Sequence, residues 1–293
     1  MGVGTEAIPS GKTWERLRHV NPLGYVGAAI LLIFAVMAIF APQIAPYGVN
    51  EQVGESFRPP DRAHLLGTDD LGFDIFSTLI YGARVSLLIG VTSACAGILL
   101  AAGLGAIAGF YGGLVDRVIM RAADVVMVIP ALPLLIIISA YSGPGMINIV
   151  LMISLVMSPR MARVIRSQIL SLRGRSYVEA ATSFGASRAH IMFRHLLPEV
   201  LPIIFTGLIN MAGHAILMES GLAFLGLGDP TSKSWGMMLY YALQYPTTYL
   251  GQAWVWWVLP PSLCIGLLIA SFALVGYALE EIIDPKLKNV GVV

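Results

Sequence analysis

The sequence predicts an all-α polytopic membrane protein with six transmembrane helices. Three observations carry that expectation. Hydrophobic residues make up 57% of the 293 positions and charged residues only 12%, where a soluble domain carries about 25%. The apolar residues come in charge-free blocks, and runs of about 18 or more reach across a hydrocarbon core of about 30 Å. Lysine and arginine are unevenly shared between the segments separating these blocks, and that asymmetry is what orients membrane helices. Net charge is +1, so no global field argues for nucleic acid.

Residues 1–22 are polar and basic, with Lys12, Arg16 and Arg18. Leu23 to Ala41 follows without a charge and exceeds the roughly 7–15 residues of a signal-peptide core, so it is read as an uncleaved first span. Residues 42–84 hold Pro42, Pro46, Pro59 and Pro60 among several acids, which predicts an extramembrane loop. Val85 to Phe110 is the second span. Its Gly90, Gly97, Gly103, Gly105 and Gly109 predict close approach of neighbouring helices, with leucine at Gly97 or Gly103 disturbing assembly.

Gly112 to Asp124 is amphipathic, because Asp116, Arg117, Arg121 and Asp124 fall in one arc of about 140°. It is expected to lie along the membrane surface. Val125 to Pro159 has no charge and is broken by Ser142-Gly143-Pro144-Gly145, giving a third span over 125–141 and a fourth over 146–165. Residues 166–198 are polar and arginine-rich. A fifth span covers about 200–221, then a loop with Asp229, Pro230 and Lys233. The last span, about 253–279, begins with Trp254, Trp256 and Trp257, a composition suited to a bilayer interface. The expected organisation is therefore 1–84 (N-terminus, first span, loop), 85–285 (the main membrane domain, holding the 166–198 loop) and a tail, 286–293.

Six spans put both termini on one side. That side holds Lys12, Arg16, Arg18, Arg117, Arg121, Arg160, Arg163, Arg166, Arg173, Arg175, Arg188, Arg194, Lys286 and Lys288, and the other only Arg58, Arg62, Arg84 and Lys233. The termini and residues 166–198 are therefore expected in the cytoplasm, with 42–84 outside.

Within the cytoplasmic loop, Ser176-Tyr177-Val178-Glu179 fits a capping box with serine at N-cap. Gly185 is placed to end that helix in a left-handed conformation, and Ala186 to Phe193 can start a second. Ala180 and Ala181 would leave a flat surface for a partner. A solvated basic loop near anionic lipid is the plainer alternative.

Catalytic and metal chemistry find little support. Gly11-Lys12-Thr13 lacks the P-loop glycine, since Glu6 stands there, and no strand pattern surrounds it. His19, His64, His190, His195 and His214 are scattered. Cys95 and Cys264 lie in apolar blocks and read as small buried hydrophobes. Glu219 is the one acid inside an apolar span. Such groups are costly in a membrane and often functional, so Asn210, His214 and Glu219 are the candidate pathway residues. A proton-coupled secondary transporter or a channel is the competing class.

Three motifs carry a resemblance. Glu179-Ala180-Ala181, Gly185 and Leu197-Pro198 are similar to the EAA loop of the ABC transporter permease family, oligopeptide/dipeptide/nickel branch. His195 stands where the general pattern has isoleucine, although the branch itself commonly has histidine. His64-Leu65-Leu66-Gly67-Thr68-Asp69-Asp70-Leu71-Gly72-Phe73-Asp74 resembles the branch's outward-loop motif, with Phe73 in place of the usual arginine, so an ion pair there is expected to be absent. Leu222-Ala223-Phe224-Leu225-Gly226-Leu227-Gly228 and Ser234-Trp235-Gly236 resemble a third. The similarity spans about 20–286.

The resemblance implies a multi-pass inner-membrane permease subunit of an ATP-driven, binding-protein-dependent importer that works by alternating access. Di- or oligopeptides are the implied solutes, with nickel chelates or oligosaccharides as alternatives. It implies a second related permease, two ATPase subunits and an extracytoplasmic solute-binding protein as partners. ATP and magnesium would sit on the ATPases and no cofactor on this chain, which would not be an enzyme. Glu179, Ala180, Ala181, Thr182, Ser183, Phe184, Gly185, Ala186 and Ser187 are the implied ATPase-docking residues.

Overall fold

A computed structural model describes residues 22–283, and these are helical almost throughout. The basic N-terminus with Lys12, Arg16 and Arg18, the Gly11-Lys12-Thr13 stretch, His19 and the 286–293 tail lie outside the described residues.

Helix α1 (Pro22–Ile39) is followed by one short turn, α2 (Ala41–Ile44), which Pro42 can open because the first helical turn needs no proline N–H. A long loop runs from there to Asp74, which caps α3 (Ile75–Tyr111) by accepting from the Ser77 N–H at 2.8 Å. The second span therefore starts ten residues before the expected Val85. Arg84 hid this extension by interrupting the apolar run. Its side chain is exposed, while Ile75, Leu79, Ile80 and Ala83 beside it are buried.

Helix α3 is the centre of the bundle and packs against α1, α6 (Met146–Arg173) and α9 (Leu197–Phe224). Its glycines make room for those neighbours. A Cβ on Gly97 would lie 2.6 Å from Met211 Cε, and one on Gly105 would lie 2.5 Å from the Ala162 carbonyl oxygen. Gly103 departs from the expectation, since nothing lies within 4 Å of its would-be Cβ. Gly97 and Gly105 are eight residues apart and share a face. Gly103 lies about 200° round the helix from Gly105.

Gly112, at φ +65°, turns the chain into α4 (Gly113–Val128). A 95° bend then leads into α5 (Ala131–Ser142). Residues 125–128 thus belong to the amphipathic helix, and the expected third span of 125–141 is a bent pair with only 12 residues beyond the break. The cause is Pro130: it has no N–H to donate and forces Ile129 into an extended conformation (φ −84°, ψ 130°). Five described helices are long and apolar enough to cross a membrane, and six if the bent pair counts as one span.

Helix α6 continues through Pro159 to Arg173. The arginine-rich loop holds α7 (Ser176–Ser183) and α8 (Arg188–Ile191), then a π-helical turn (Met192–Leu196) that merges into α9. The chain ends with α10 (Trp235–Leu243), α11 (Pro246–Leu250), α12 (Ala253–Trp257) and α13 (Leu259–Ile283). The tryptophans at the last span divide: Trp254 is exposed, whereas Trp257 is buried against Phe57 and Tyr245.

The Ser-Trp-Gly stretch keys this segment into the bundle. Trp235 is fully buried. Its indole N–H donates to the Leu79 carbonyl at 2.9 Å and its backbone N–H to the Ser86 hydroxyl at 3.2 Å. Gly82 leaves the space for it, since a Cβ there would lie 2.7 Å from Trp235 Cδ1. Ser234 caps α10, and Gly236 lets that helix lie directly on Ser220 and Ala223 of α9.

Candidate functional site

The arginine-rich loop is a helix–turn–helix anchored on one face and open on the other. The expected capping box does not form. Arg175 occupies the N-cap in an extended conformation, and its carbonyl accepts from the N–H groups of Val178 and Glu179 at 2.9 and 3.2 Å. Ser176 is therefore the first helical residue, one position too late to cap. Glu199 of α9 steadies the start instead: its carboxylate lies 3.6 Å from the Arg175 guanidinium and accepts from the Tyr177 hydroxyl at 3.4 Å.

The end of α7 forms as its sequence predicts. Gly185 stands at φ +81°, a conformation that glycine adopts without steric cost. Its N–H donates to Thr182 and the Ala186 N–H to Ala181, both at 3.0 Å. This 6→1 and 5→2 pair closes the helix and aims the chain at α8. Ser187 then caps α8 by accepting from the His190 N–H at 3.2 Å.

Val178 and Ile191 turn inward to join Ile165, Ile169, Leu172 and Leu196 in a buried cluster. Arg173 ties the loop to α3 by donating to the Phe110 carbonyl at 2.9 Å. The outer face carries Glu179, Ala180, Thr182, Ser183, Gly185 and Ser187, all exposed, with Ala181 and Ala186 half-buried. Phe184, at the tip, is 91% exposed. Covering such a ring stabilises a protein by about 1.5–3 kcal/mol, and among the described residues nothing does so. His195 does not serve as an apolar anchor. It stacks among Tyr177 and His190, and Leu196 beside it is the residue fully buried.

The three candidate pathway residues separate. Asn210 donates to Glu280 of α13 at 3.1 Å, and His214 Nδ1 donates to the Asn210 carbonyl at 2.8 Å. Both line a cavity of about 490 Å³ between the α4–α5 bend, α6 and α9. Glu219 does not join them. It is 2% exposed, and its carboxylate accepts from Ser220 at 3.3 Å and contacts the Ser234 hydroxyl. It follows Asn210 by nine residues, about 180° round the helix, so it faces the Trp235 segment instead. The cavity also holds Arg160, Met127, Met157, Met161, Met211 and Met218. None of these stood out in the sequence. Their convergence depends on the bend at Pro130.

The loop before α3 is tied together through its own motif. His64 Nδ1 lies 3.1 Å from the Asp74 carboxylate, with both side chains almost fully buried. Where arginine was expected, Phe73 receives a cation from elsewhere: Lys233 Nζ sits 3.4 Å from the ring centroid. Asp69 accepts from the Leu71 and Phe73 N–H groups at 3.0 and 2.9 Å, yet burial pushes its carboxyl up to about 6. A raised acid holds its proton more tightly folded than unfolded. The Asp69 contribution to stability is thus full below about pH 4 and is lost as pH rises through about 6. Asp69→Asn keeps the accepting oxygen and removes the charge. It should flatten the fall in thermal midpoint of the purified protein between about pH 4 and pH 6. Identical pH profiles for the two proteins would contradict this placement of the charge.

Among the described residues no group of three or more His, Cys, Asp or Glu side chains could hold a metal. A bundle of membrane-length helices, an open cavity at a broken helix and a helix–turn–helix projecting on the arginine-rich side define a membrane transport subunit. More narrowly, the chain belongs to the family of binding-protein-dependent transport system inner membrane components, whose model matches residues 101–289. A second model, the N-terminal TM domain of oligopeptide transport permease C, matches residues 9–60. The chain is 36% identical over 279 residues to the dipeptide transport system permease protein DppC of Bacillus subtilis, covering 94% of this chain and 85% of that one. It is 37% identical to the di/tripeptide transport system permease protein DppC of Pseudomonas aeruginosa (96% and 93% covered). It is 35% identical to the glutathione transport system permease protein GsiD of Pectobacterium atrosepticum (96% and 92% covered). It is thus a multi-pass permease subunit of a binding-protein-dependent importer.

Proposed function

We propose that this subunit imports di- or oligopeptides in an ATP-driven complex, with ATP hydrolysed by partner subunits that grip residues 179–187. The observation that carries the docking reading is the loop itself. One face is locked into the bundle through Val178 and Ile191, while Phe184 stands 91% exposed on the other. Movement of a partner on that face would reach α6 and α9 directly, since the anchoring cluster belongs to both helices. Peptides as solutes are supported by relatives named for dipeptide and di/tripeptide transport. The membrane assembly would comprise this chain, a second related permease, two ATPases and an extracytoplasmic solute-binding protein. ATP closing the ATPases would open the bundle outward to receive solute, and hydrolysis would reset it. The cavity at the α4–α5 bend would form this subunit's share of the pathway.

The direct test is peptide uptake by cells with and without the partner ATPases, and uptake that survives their removal would refute the ATP-driven reading. Orientation has its own test. Arg62 is exposed in the outward loop, so Arg62→Cys in a background lacking Cys95 and Cys264 should react with an impermeant thiol reagent in intact cells. Labelling that appears only after lysis would reverse the sidedness.

A further inference from the structure

Three arginines follow one another at three-residue spacing on α6: Arg160, Arg163 and Arg166. Two of them have carboxylate partners on α4. Arg166 forks onto Asp116, and Arg163 pairs with Asp124. The helices run antiparallel through this ladder, and Arg160 lies further along α6 toward the bend, where Met127 of α4 lines the same cavity. Among the described residues its side chain has no ion-pair or hydrogen-bond partner. Instead it lines the cavity with Met127, Asn210 and His214.

Arg160 is exposed, so its guanidinium stays accessible to an anionic visitor while its stem lies along the cavity wall. The groups around it suit such a visitor. His214 commits Nδ1 to the Asn210 carbonyl, which leaves Nε2 as the nitrogen open to solute. The nearby acid Glu280 is engaged by the Asn210 amide at 3.1 Å and is not among the cavity's lining residues. The remaining walls are apolar and include five methionines, Met127, Met157, Met161, Met211 and Met218. Methionine is unbranched and polarisable, so it adapts to side chains of many shapes.

We propose that Arg160 is a specificity-determining residue that catches the free carboxylate of the solute during passage, while the methionine wall takes its variable side chains. The guanidinium presents paired N–H donors that match a carboxylate, a group every unmodified peptide carries at its C-terminus. This inference rests on the cavity being part of the pathway.

The test uses the assembled importer carrying Met157→Cys in a background without Cys95 and Cys264. The rates of thiol modification by a sulfonate-bearing and a trimethylammonium-bearing reagent are compared, since their ratio reads the local potential. Arg160→Gln should lower the sulfonate-to-ammonium ratio about tenfold, because the two reagents respond to the lost charge in opposite directions. Arg160→Lys should leave the ratio within about threefold. In parallel, uptake of a peptide with a free C-terminus should fall about tenfold in Arg160→Gln and be largely restored in Arg160→Lys. An unchanged ratio overturns the proposal, and so does a lowered ratio with normal uptake. If the introduced thiol reacts with neither reagent, the cavity is closed to water and the pathway reading itself fails.

Discussion

Gly185→Val is expected to abolish solute uptake while the chain still inserts in the membrane. Gly185 stands at φ +81° with nothing within 4 Å of its would-be Cβ, so the substitution creates no clash. Its effect acts through the backbone. A left-handed conformation costs an L-residue roughly 1–2 kcal/mol, and β-branching makes valine worse than most. The closing bonds to Thr182 and Ala181 depend on that conformation. Losing them redirects the chain between α7 and α8 and swings Phe184 away from its place at the tip. The anchored face, through Val178 and Ile191, lies on the opposite side and should hold the loop to the bundle. Membrane levels should therefore stay near normal while co-purification of the ATPases falls. Gly185→Asn, which tolerates the left-handed region, should be mild. Glu179→Ala should also be mild, because Glu179 is exposed and caps nothing. Full ATPase attachment with normal uptake in Gly185→Val would falsify the docking reading.

Gly97→Leu should prevent accumulation of the folded subunit, and Gly103→Leu should not. A first side-chain carbon at Gly97 already lies 2.6 Å from Met211 Cε and 3.4 Å from Ser154 Cα and the Ser154 carbonyl oxygen. Met211 can swing aside, but the backbone of α6 cannot, and leucine adds three more carbons to the same gap. Overpacking in a tight core costs typically 1–3 kcal/mol. Here it also parts α3 from α6, which packs against it over much of its length. Gly103, with nothing within 4 Å, is the matched control in the same helix. Quantifying the two proteins in purified membranes decides the matter, and equal loss in both would mean that the Gly103 face is buried in the complex.

The bundle was legible because membrane spans announce themselves by length and absence of charge. The errors fall where one residue dominates locally. Arg84 hid the first ten residues of α3, since a charge at an exposed position looks like an end. Pro130 bent the third span, and a count of apolar residues takes no account of backbone geometry. In the arginine-rich loop, Gly185 could be read from sequence because only one backbone conformation explains glycine at that point. Ser176 could not: a cap depends on which residue is extended, and Arg175 takes that role with help from Glu199, 24 residues further on. The pathway trio failed on helical phase, because Glu219 is on the far side of α9. The residues that do converge at the cavity are brought there by the Pro130 bend and the α4–α6 ion-pair ladder, which become visible only once the helices are placed.

The central claim is that the outer face of residues 179–187 is the grip of an ATPase subunit. The most direct measurement places a cysteine at the tip, Phe184→Cys, in a background without Cys95 and Cys264, and adds a photoactivatable thiol-linked probe to the complete complex in native membranes. The expected result is one adduct joining this chain to the ATPase subunit, its yield reduced when Gly185→Val is combined with it. Adducts with lipid alone, in membranes where the ATPase still co-purifies, would contradict the account and place the grip elsewhere on the chain.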